Sequence, residues 1–248
     1  MGAKSARIRA DQRVVALGLA ESRTKAQALI LAGSVLDARG QLIEKPGQLV
    51  LSEIDLVLKD QSPAYVSRGG LKLEAALDAF GVEVEGRVGL DVGASTGGFT
   101  DCLLQRGAKR VYAVDVGYNQ LAWSLRNDER VVVHERVNIR TAEPELLPEA
   151  VDIVVIDVSF IGLRLVLPKA LEFGGSPLHV IALIKPQFEV GKDRVGKGGI
   201  VRDDAAREEA VRAIEGFLPS LGLEHVGTIP SPITGAKGNR EFLFYGRR

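Results

Sequence analysis

LDVGASTGGFTD, residues 90–101, closes a short β-branched run (RVGLDV, residues 87–92) with Gly93, Gly97 and Gly98 before a helical stretch that contains Cys102. Glycines between a strand and a helix let backbone amides approach a ligand closely, at the strand ends where open α/β sheets bind their ligands.

Downstream, strand patterns alternate with helical ones: RVYAVDVG, RVVVHERV, VDIVVIDVSF and HVIALIKP, then a long helix over DDAAREEAVRAIEGFLPSLG. Short β-branched runs separated by helices predict a parallel sheet with right-handed crossovers. The chain ends LEHVGTIPSPITGAKGNREFLFYGRR, two strands whose Gly-rich connection is too short for a crossover. The last strand must therefore run antiparallel. The expected fold is α/β: a Rossmann-like, seven-stranded mixed sheet of the class I methyltransferase type.

The glycine loop distinguishes two cofactors. GxGxxG is absent, and D-x-G-x-S-x-G resembles the D-x-G-x-G-x-G loop that binds S-adenosylmethionine, with Ser95 in place of the middle glycine. That cofactor carries an ammonium and a sulfonium, so a carboxylate beside the loop is favourable where a pyrophosphate would be repelled. The candidate cofactor residues are Asp91, Gly93, Ala94, Ser95, Thr96, Gly97, Gly98 and Phe99. Asp115, ending the second strand, is placed to accept from ribose hydroxyls, as in NAD enzymes too. Asn138 either meets the adenine edge or is a surface-loop asparagine.

Composition bounds the rest. Of 248 residues, 46% are hydrophobic, and 32 acidic residues balance 32 basic ones, so bulk charge gives no reason to expect nucleic acid binding. Residues 1–34 nevertheless hold six basic side chains against two acidic ones. Cys102 is the only cysteine, which excludes an intramolecular disulfide and multi-Cys zinc sites; the three histidines have no metal-ligand spacing. The start, MGAKSARIRADQR, lacks an apolar h-region and no run reaches membrane-spanning length. These features point to a cytoplasmic protein without a metal.

Residues 8–33 read as two short helices, the first ending near Gly18, the second N-capped by Ser22 and stopped at Gly33. A β segment, SVLDARGQLI, turns at Ala38-Arg39-Gly40, and LVLSEIDLVL follows. Basic residues lie at the starts of the helices. The pattern Arg9, Asp11, Gly18-Leu19-Ala20, Ser22-Arg23, Ala26, Leu29-Ile30, Gly33, Val35, Gly40, Lys45-Pro46-Gly47 resembles the S4 RNA-binding fold. The resemblance implies an α+β module over residues 1–60 that grips RNA through Lys4, Arg7, Arg9, Arg13, Arg23 and Lys25. Residues 61–70, with Pro63 and Gly69-Gly70, read as a linker, and 71–248 as the catalytic domain.

Strand-end residues bear on the reaction. Base amino methylation commonly uses (Asn/Asp)-Pro-Pro-(Phe/Tyr) after strand four, where this chain has Asp157-Val158-Ser159-Phe160. Methylation at cytosine carbon needs a cysteine after strand four or five, and Cys102 follows strand one. Lys72, Asp157, Lys185 and Glu241 remain. They resemble the Lys-Asp-Lys-Glu set of the FtsJ-like RNA ribose 2′-O-methyltransferases. With VSRGGLKLEAAL, VDVGYNQLAWSLR, IDVSFI, LIKPQFEVGK and GNREF in order, the chain resembles the TlyA (haemolysin A) family.

The resemblance implies ribosomal RNA as substrate, a cytidine ribose as acceptor, and the large subunit as the favoured partner, since the chain stops soon after its last strand as in the shorter members. Lys185 is expected nearest the 2′-hydroxyl. An ordinary lysine, with a pKa of about 10.4, is neutral in only about one copy in two thousand at pH 7. It must therefore lose its proton to act as base, or act electrostatically. Tyr118, Trp123 and Phe188 could stack on a base, with core packing the commoner fate of such rings. Lys192, Arg194 and Lys197 read as a mobile basic loop over the substrate, or merely a solvated one. Where some members carry Arg and Trp in the joint, this chain has Pro63-Ala64-Tyr65-Val66. Rival readings are an assembly factor with a vestigial methyltransferase domain and a membrane-active haemolysin.

Overall fold

The computed structural model describes residues 7–37, 40–59, 64–235 and 238–248. Contacts divide the chain into two compact units, Met1–Ser62 and Pro63–Arg248. Lys4, most of the Ala38-Arg39-Gly40 turn and Pro63 lie outside the described residues.

In the first unit, β1 (Arg7–Arg9) runs into α1 (Ala10–Ala16), followed by α2 (Arg23–Leu31). Ser22, in extended conformation, accepts a hydrogen bond from the amide of Lys25 at 3.3 Å, the expected N-cap. Three more short strands follow: β2 (Val35–Asp37), β3 (Leu49–Leu51) and β4 (Leu56–Leu58). β1 pairs with β3 and β2 with β4, all antiparallel. LVLSEIDLVL is thus two strands with different partners. The sequence reading missed β1 because three residues, Arg-Ile-Arg, are too few to show a strand's alternation. Ala10, Val14, Ala26, Ile30, Val35 and Val50 close the unit's core.

In the second unit, α3 (Gly69–Phe80) precedes β5 (Val88–Val92), α4 (Gly98–Gln105), β6 (Arg110–Asp115), α5 (Trp123–Arg126) and β7 (Val131–Glu135). Then come β8 (Val151–Ile156), α6 (Leu163–Leu171), β9 (Gly174–Ile184), α7 (Pro186–Glu189), α8 (Asp204–Glu215), β10 (Glu224–Pro230) and β11 (Phe242–Arg247). The segment expected as a linker belongs, from Ala64 on, to this unit, and α3 begins at Gly69. The reason is packing: Tyr65 is buried, a Cβ on Gly70 would collide with its ring, and its hydroxyl donates to Glu74 at 2.8 Å.

The strands form one seven-stranded sheet in the order β10-β11-β9-β8-β5-β6-β7. β5 to β9 are parallel, and β11 runs antiparallel to both β9 and β10, as the short final connection requires. Both faces are covered, and residues alternate between two cores. In β6, Tyr112 and Val114 face a core with Leu163, Leu167 and Ile214; Val111 and Ala113 face another with Leu73, Leu77 and Leu103. Truncating such a leucine to alanine costs roughly 2–5 kcal/mol. Among the described residues no helix is long and apolar enough to cross a membrane.

Strand order reverses between β5 and β8, so their carboxyl ends open a crevice at the topological switch point. The candidate residues gather at this edge.

Candidate active site

Gly93 leaves β5 with φ +85° at the crevice, and a Cβ there would lie 2.7 Å from the carbonyl oxygen of Asp157. Only glycine lets the two strand ends close up. Ser95 stands at φ +50°, the left-handed conformation for which the resembling loop uses glycine. Its amide donates to Asp115 at 2.8 Å, and the same carboxylate accepts from Gly117 at 2.6 Å. Asp115 therefore ties the loop to the end of β6 while lone pairs remain for a ligand.

Two cavities share this edge. One, of about 480 Å³, is lined by Gly93, Ser95, Asp115, Val116, Gln120, Asn138 and Arg140. The Asn138 side chain accepts from Arg140 N at 3.1 Å, capping a short 3-10 turn while lining that cavity. The second, of about 570 Å³, is lined by Gly93, Ala94, Ser95, Gly98 and Phe99 on one side and by Lys72, Asp157, Lys185 and Glu241 on the other. Gly93, Ser95, Asp157, Ser159 and Phe160 border both.

Three expected cofactor residues line neither. Thr96 and Gly97 turn toward the segment before α5: the Thr96 carbonyl accepts from Ala122 at 3.0 Å, and a Cβ on Gly97 would strike Leu121 and Leu125. Asp91 is fully buried beneath the loop, where one oxygen accepts from Thr100 Oγ1 at 2.6 Å and the other has no partner. Burial pushes this carboxyl up to about 7; Thr100 opposes the shift and the charges of Asp157 and Asp115 add to it.

The four charged candidates, three near strand ends and Lys72 on α3, meet as two pairs. Lys72 Nζ donates to Glu241 Oε2 at 2.6 Å, joining residues 169 positions apart, both buried. Lys185 Nζ lies 2.6 Å from Asp157 Oδ1, a contact of opposite charges that lacks hydrogen-bond alignment, and donates to Ser159 Oγ at 2.8 Å. Glu241 immediately precedes β11.

The sequence reading gave no role to Ser159, Phe160 or Asn239. Phe160, 91% exposed and at φ +67°, faces Phe188 with ring centroids 5.4 Å apart. A non-glycine residue so exposed in the left-handed region was signalled only by its place after Asp157. Tyr118 and Trp123 are 64% and 77% exposed, against the expectation of core packing. The Arg136 guanidinium lies 4.2 Å from the Tyr118 ring centre.

The basic loop expected to be mobile is tethered. Buried Asn239 donates to Gly199 O at 2.8 Å and accepts from Val201 N at 3.1 Å, and Arg194 is held by Asp203 and Glu209 on the α8 side. Lys192 and Lys197 are exposed.

In the first unit, Arg9 and Arg23 converge on buried Asp11 at 2.9–3.0 Å, Arg13 donates to Ile54 O at 2.9 Å, and Lys25 pairs with Glu21. Arg7 is exposed. Arg13 sits within α1 and not at its start.

The family model for FtsJ-like methyltransferases matches residues 65–248. The Mycobacterium tuberculosis 16S/23S rRNA (cytidine-2′-O)-methyltransferase TlyA is 49% identical over 97% of this chain and 90% of its own length. Hemolysin A of Brachyspira hyodysenteriae is 44% identical over 95% of this chain and 98% of its own. A solved hemolysin candidate from Streptococcus thermophilus superposes with a TM-score of 0.74, 43% identity, and coverage of 99% of this chain and 90% of that one.

Proposed function

From a chain that belongs to the FtsJ-like methyltransferases, and among them to the TlyA (haemolysin A) family, we infer an S-adenosylmethionine-dependent enzyme that methylates a cytidine ribose 2′-hydroxyl in ribosomal RNA. One observation carries the reading: two lysine–carboxylate pairs share the wall of a cavity that joins the glycine-loop cavity at Gly93 and Asp157.

The residues present fit the methyl donor. The close approach at Gly93 and the Asp115 carboxylate form a cradle suited to a nucleoside, and the wall carries carboxylates where the donor is cationic. Bound there, S-adenosylmethionine supplies an electrophilic methyl; the new bond is O–C, the broken one S–C, and the hydroxyl proton must leave.

Lys185 is the group assigned to that proton. An ammonium donates three hydrogen bonds and accepts none, so Lys185 takes the proton only after losing its own; charged, it can only orient the hydroxyl. Asp157 and Ser159 fix its position, and the Lys72–Glu241 pair bounds the far side. Holding reactants at near-attack distance contributes up to about 7–11 kcal/mol in favourable cases. The exposed ring of Phe160, against the half-buried ring of Phe188, suits stacking on a flipped base, worth about 1–3 kcal/mol.

The first unit is read as an S4-like RNA-binding module spanning residues 1–60. Asp11 supports this by holding two partly exposed guanidiniums side by side on one carboxylate. Lys192 and Lys197 add exposed positive charge.

Incubation with labelled S-adenosylmethionine and undermethylated ribosomal subunits, followed by mapping of methyl groups, tests the reading. The expected product is 2′-O-methylcytidine, in large-subunit RNA, small-subunit RNA or both. Lys185→Ala is expected to abolish transfer while RNA affinity stays within about threefold; label on a base, or unchanged turnover by this variant, overturns the assignment. A rate that rises with pH supports proton removal by Lys185, and a flat profile supports pure positioning.

A further inference from the structure

The loop after β8 carries Asp157, Ser159 and Phe160, and β9 leads through Lys185 into α7, which carries Phe188. On the cavity side they touch through groups the substrate must engage: Lys185 with Asp157 and Ser159, and ring against ring. The β8–β9 ladder sets the strand register up to Ile156 and Ala182; beyond it, a contact the substrate does not use would hold the two segments together. Outside the cavity lining, Glu189 at the end of α7 accepts a hydrogen bond through Oε1 from the amide of Leu163, the first residue of α6, at 2.8 Å.

That amide is an orphan donor at a helix start, and Gly162 at the N-cap has no side chain to satisfy it. A Cβ on Gly162 would come within 3.3 Å of both Glu189 Oε2 and the carbonyl of Phe188, closer than such contacts normally run. The glycine therefore permits the approach and the glutamate uses it. We propose that Glu189 is a positioning residue for methyl transfer, clamping the Asp157 loop to the Lys185 loop from behind the cleft. This rests on the reading of Asp157 and Lys185 as reaction-centre groups. Burial raises the Glu189 carboxyl above the usual carboxylate range, with the Leu163 amide opposing. Since a protonated carboxyl still accepts through its carbonyl oxygen, glutamine should serve in its place.

Hydrogen exchange without RNA or donor reads the clamp directly. Glu189→Ala should speed exchange over residues 157–163 and 185–189 about tenfold or more, leaving the glycine loop at 93–98 unchanged. Its kcat should fall roughly 10–100-fold, the scale of a small misplacement of reacting groups, with the dissociation constant for S-adenosylmethionine within about twofold. Glu189→Gln should restore kcat to within about threefold of wild type. Gly162→Ala, which keeps the glutamate but sets a Cβ about 3.3 Å from its Oε2 and from the Phe188 carbonyl, should lower kcat by about fivefold with the same unchanged donor affinity. An alanine variant with wild-type exchange and kcat overturns the proposal, as does a glutamine variant no better than alanine. If Glu189→Ala does not fold, a folded Gly162→Ala protein with wild-type exchange and kcat overturns it instead. A wild-type protein that transfers no methyl to RNA would sink the functional reading, while the exchange data still decide whether Glu189 holds the loops.

Discussion

Asp11 and Asp91 are completely buried aspartates, one in each unit, and they differ in how many donors reach them. Asp11 accepts four hydrogen bonds, two from Arg9 and one each from Arg23 and Gln27. The Arg9 contact is the largest influence on its carboxyl and holds it well below the usual range despite burial. Asp91 has Thr100 alone, an orphaned oxygen and two like charges nearby, and burial pushes it up to about 7. Neither side chain meets solvent, but Asp11 lies shallow among charged donors and Asp91 deep with a single donor; depth and donors together decide the sign. In the first unit the carboxylate is a structural hub, whereas beneath the glycine loop it is a cost.

The strongest way to break this contrast is Asp11→Asn. Replacing a carboxylate that receives charged donors should destabilise the first unit by about 3 kcal/mol at pH 7, read as faster amide exchange in α1 and α2. A carboxyl held low in the folded state contributes stability above the unfolded-state pKa of about 4 and loses it as pH falls through the folded value. Wild type should thus lose more stability between pH 5 and 3 than the Asn variant.

Asp91→Asn should act in the opposite sense. Between about pH 4 and 7 the folded state keeps a proton that the unfolded chain has released, so wild type loses stability as pH rises through that window. In urea unfolding at pH 8 the Asn protein should be more stable by on the order of 2 kcal/mol, and the two should match near pH 4. Identical, flat curves for both would erase the contrast.

Thr100→Val removes the donor that Asp91 does have. It should cost about 1–2 kcal/mol and steepen the loss of stability from pH 4 to 8. Least affected should be Gln27→Leu, at about 1 kcal/mol, with acid sensitivity retained because both arginines still reach Asp11. A loss as large as that of Asp11→Asn would mean the amide, and not the guanidiniums, dominates the hub.

Sequence pattern reached far in the second unit because strands buried on both faces are written as continuous β-branched runs, and a short final connection permits only an antiparallel strand. Ser22 as a cap was equally local. Pairing was not legible where it depends on distant partners. Nothing between Lys72 and Glu241, 169 positions apart, says which carboxylate each lysine takes. Asp91 could be placed at a strand end, but its orientation toward Thr100 follows from how α4 packs. Tyr118 and Trp123 are exposed despite their apolar character; around Tyr118 the backbone is held by polar ties, Gly117 by Asp115 and Asn119 by Glu135. Exposed rings near a sheet edge look, in sequence, like core.

The two ion pairs in the cleft have a consequence for how the substrate is gripped. Each lysine there is matched by a carboxylate 2.6 Å away, so on the proposed reading the cleft should release few counterions when RNA enters. On the proposed reading, the salt dependence of binding is expected to come from exposed cations without an ion pair among the described residues, such as Arg7, Lys192 and Lys197. Rising ionic strength should weaken capture of RNA long before it slows the chemistry on RNA already held.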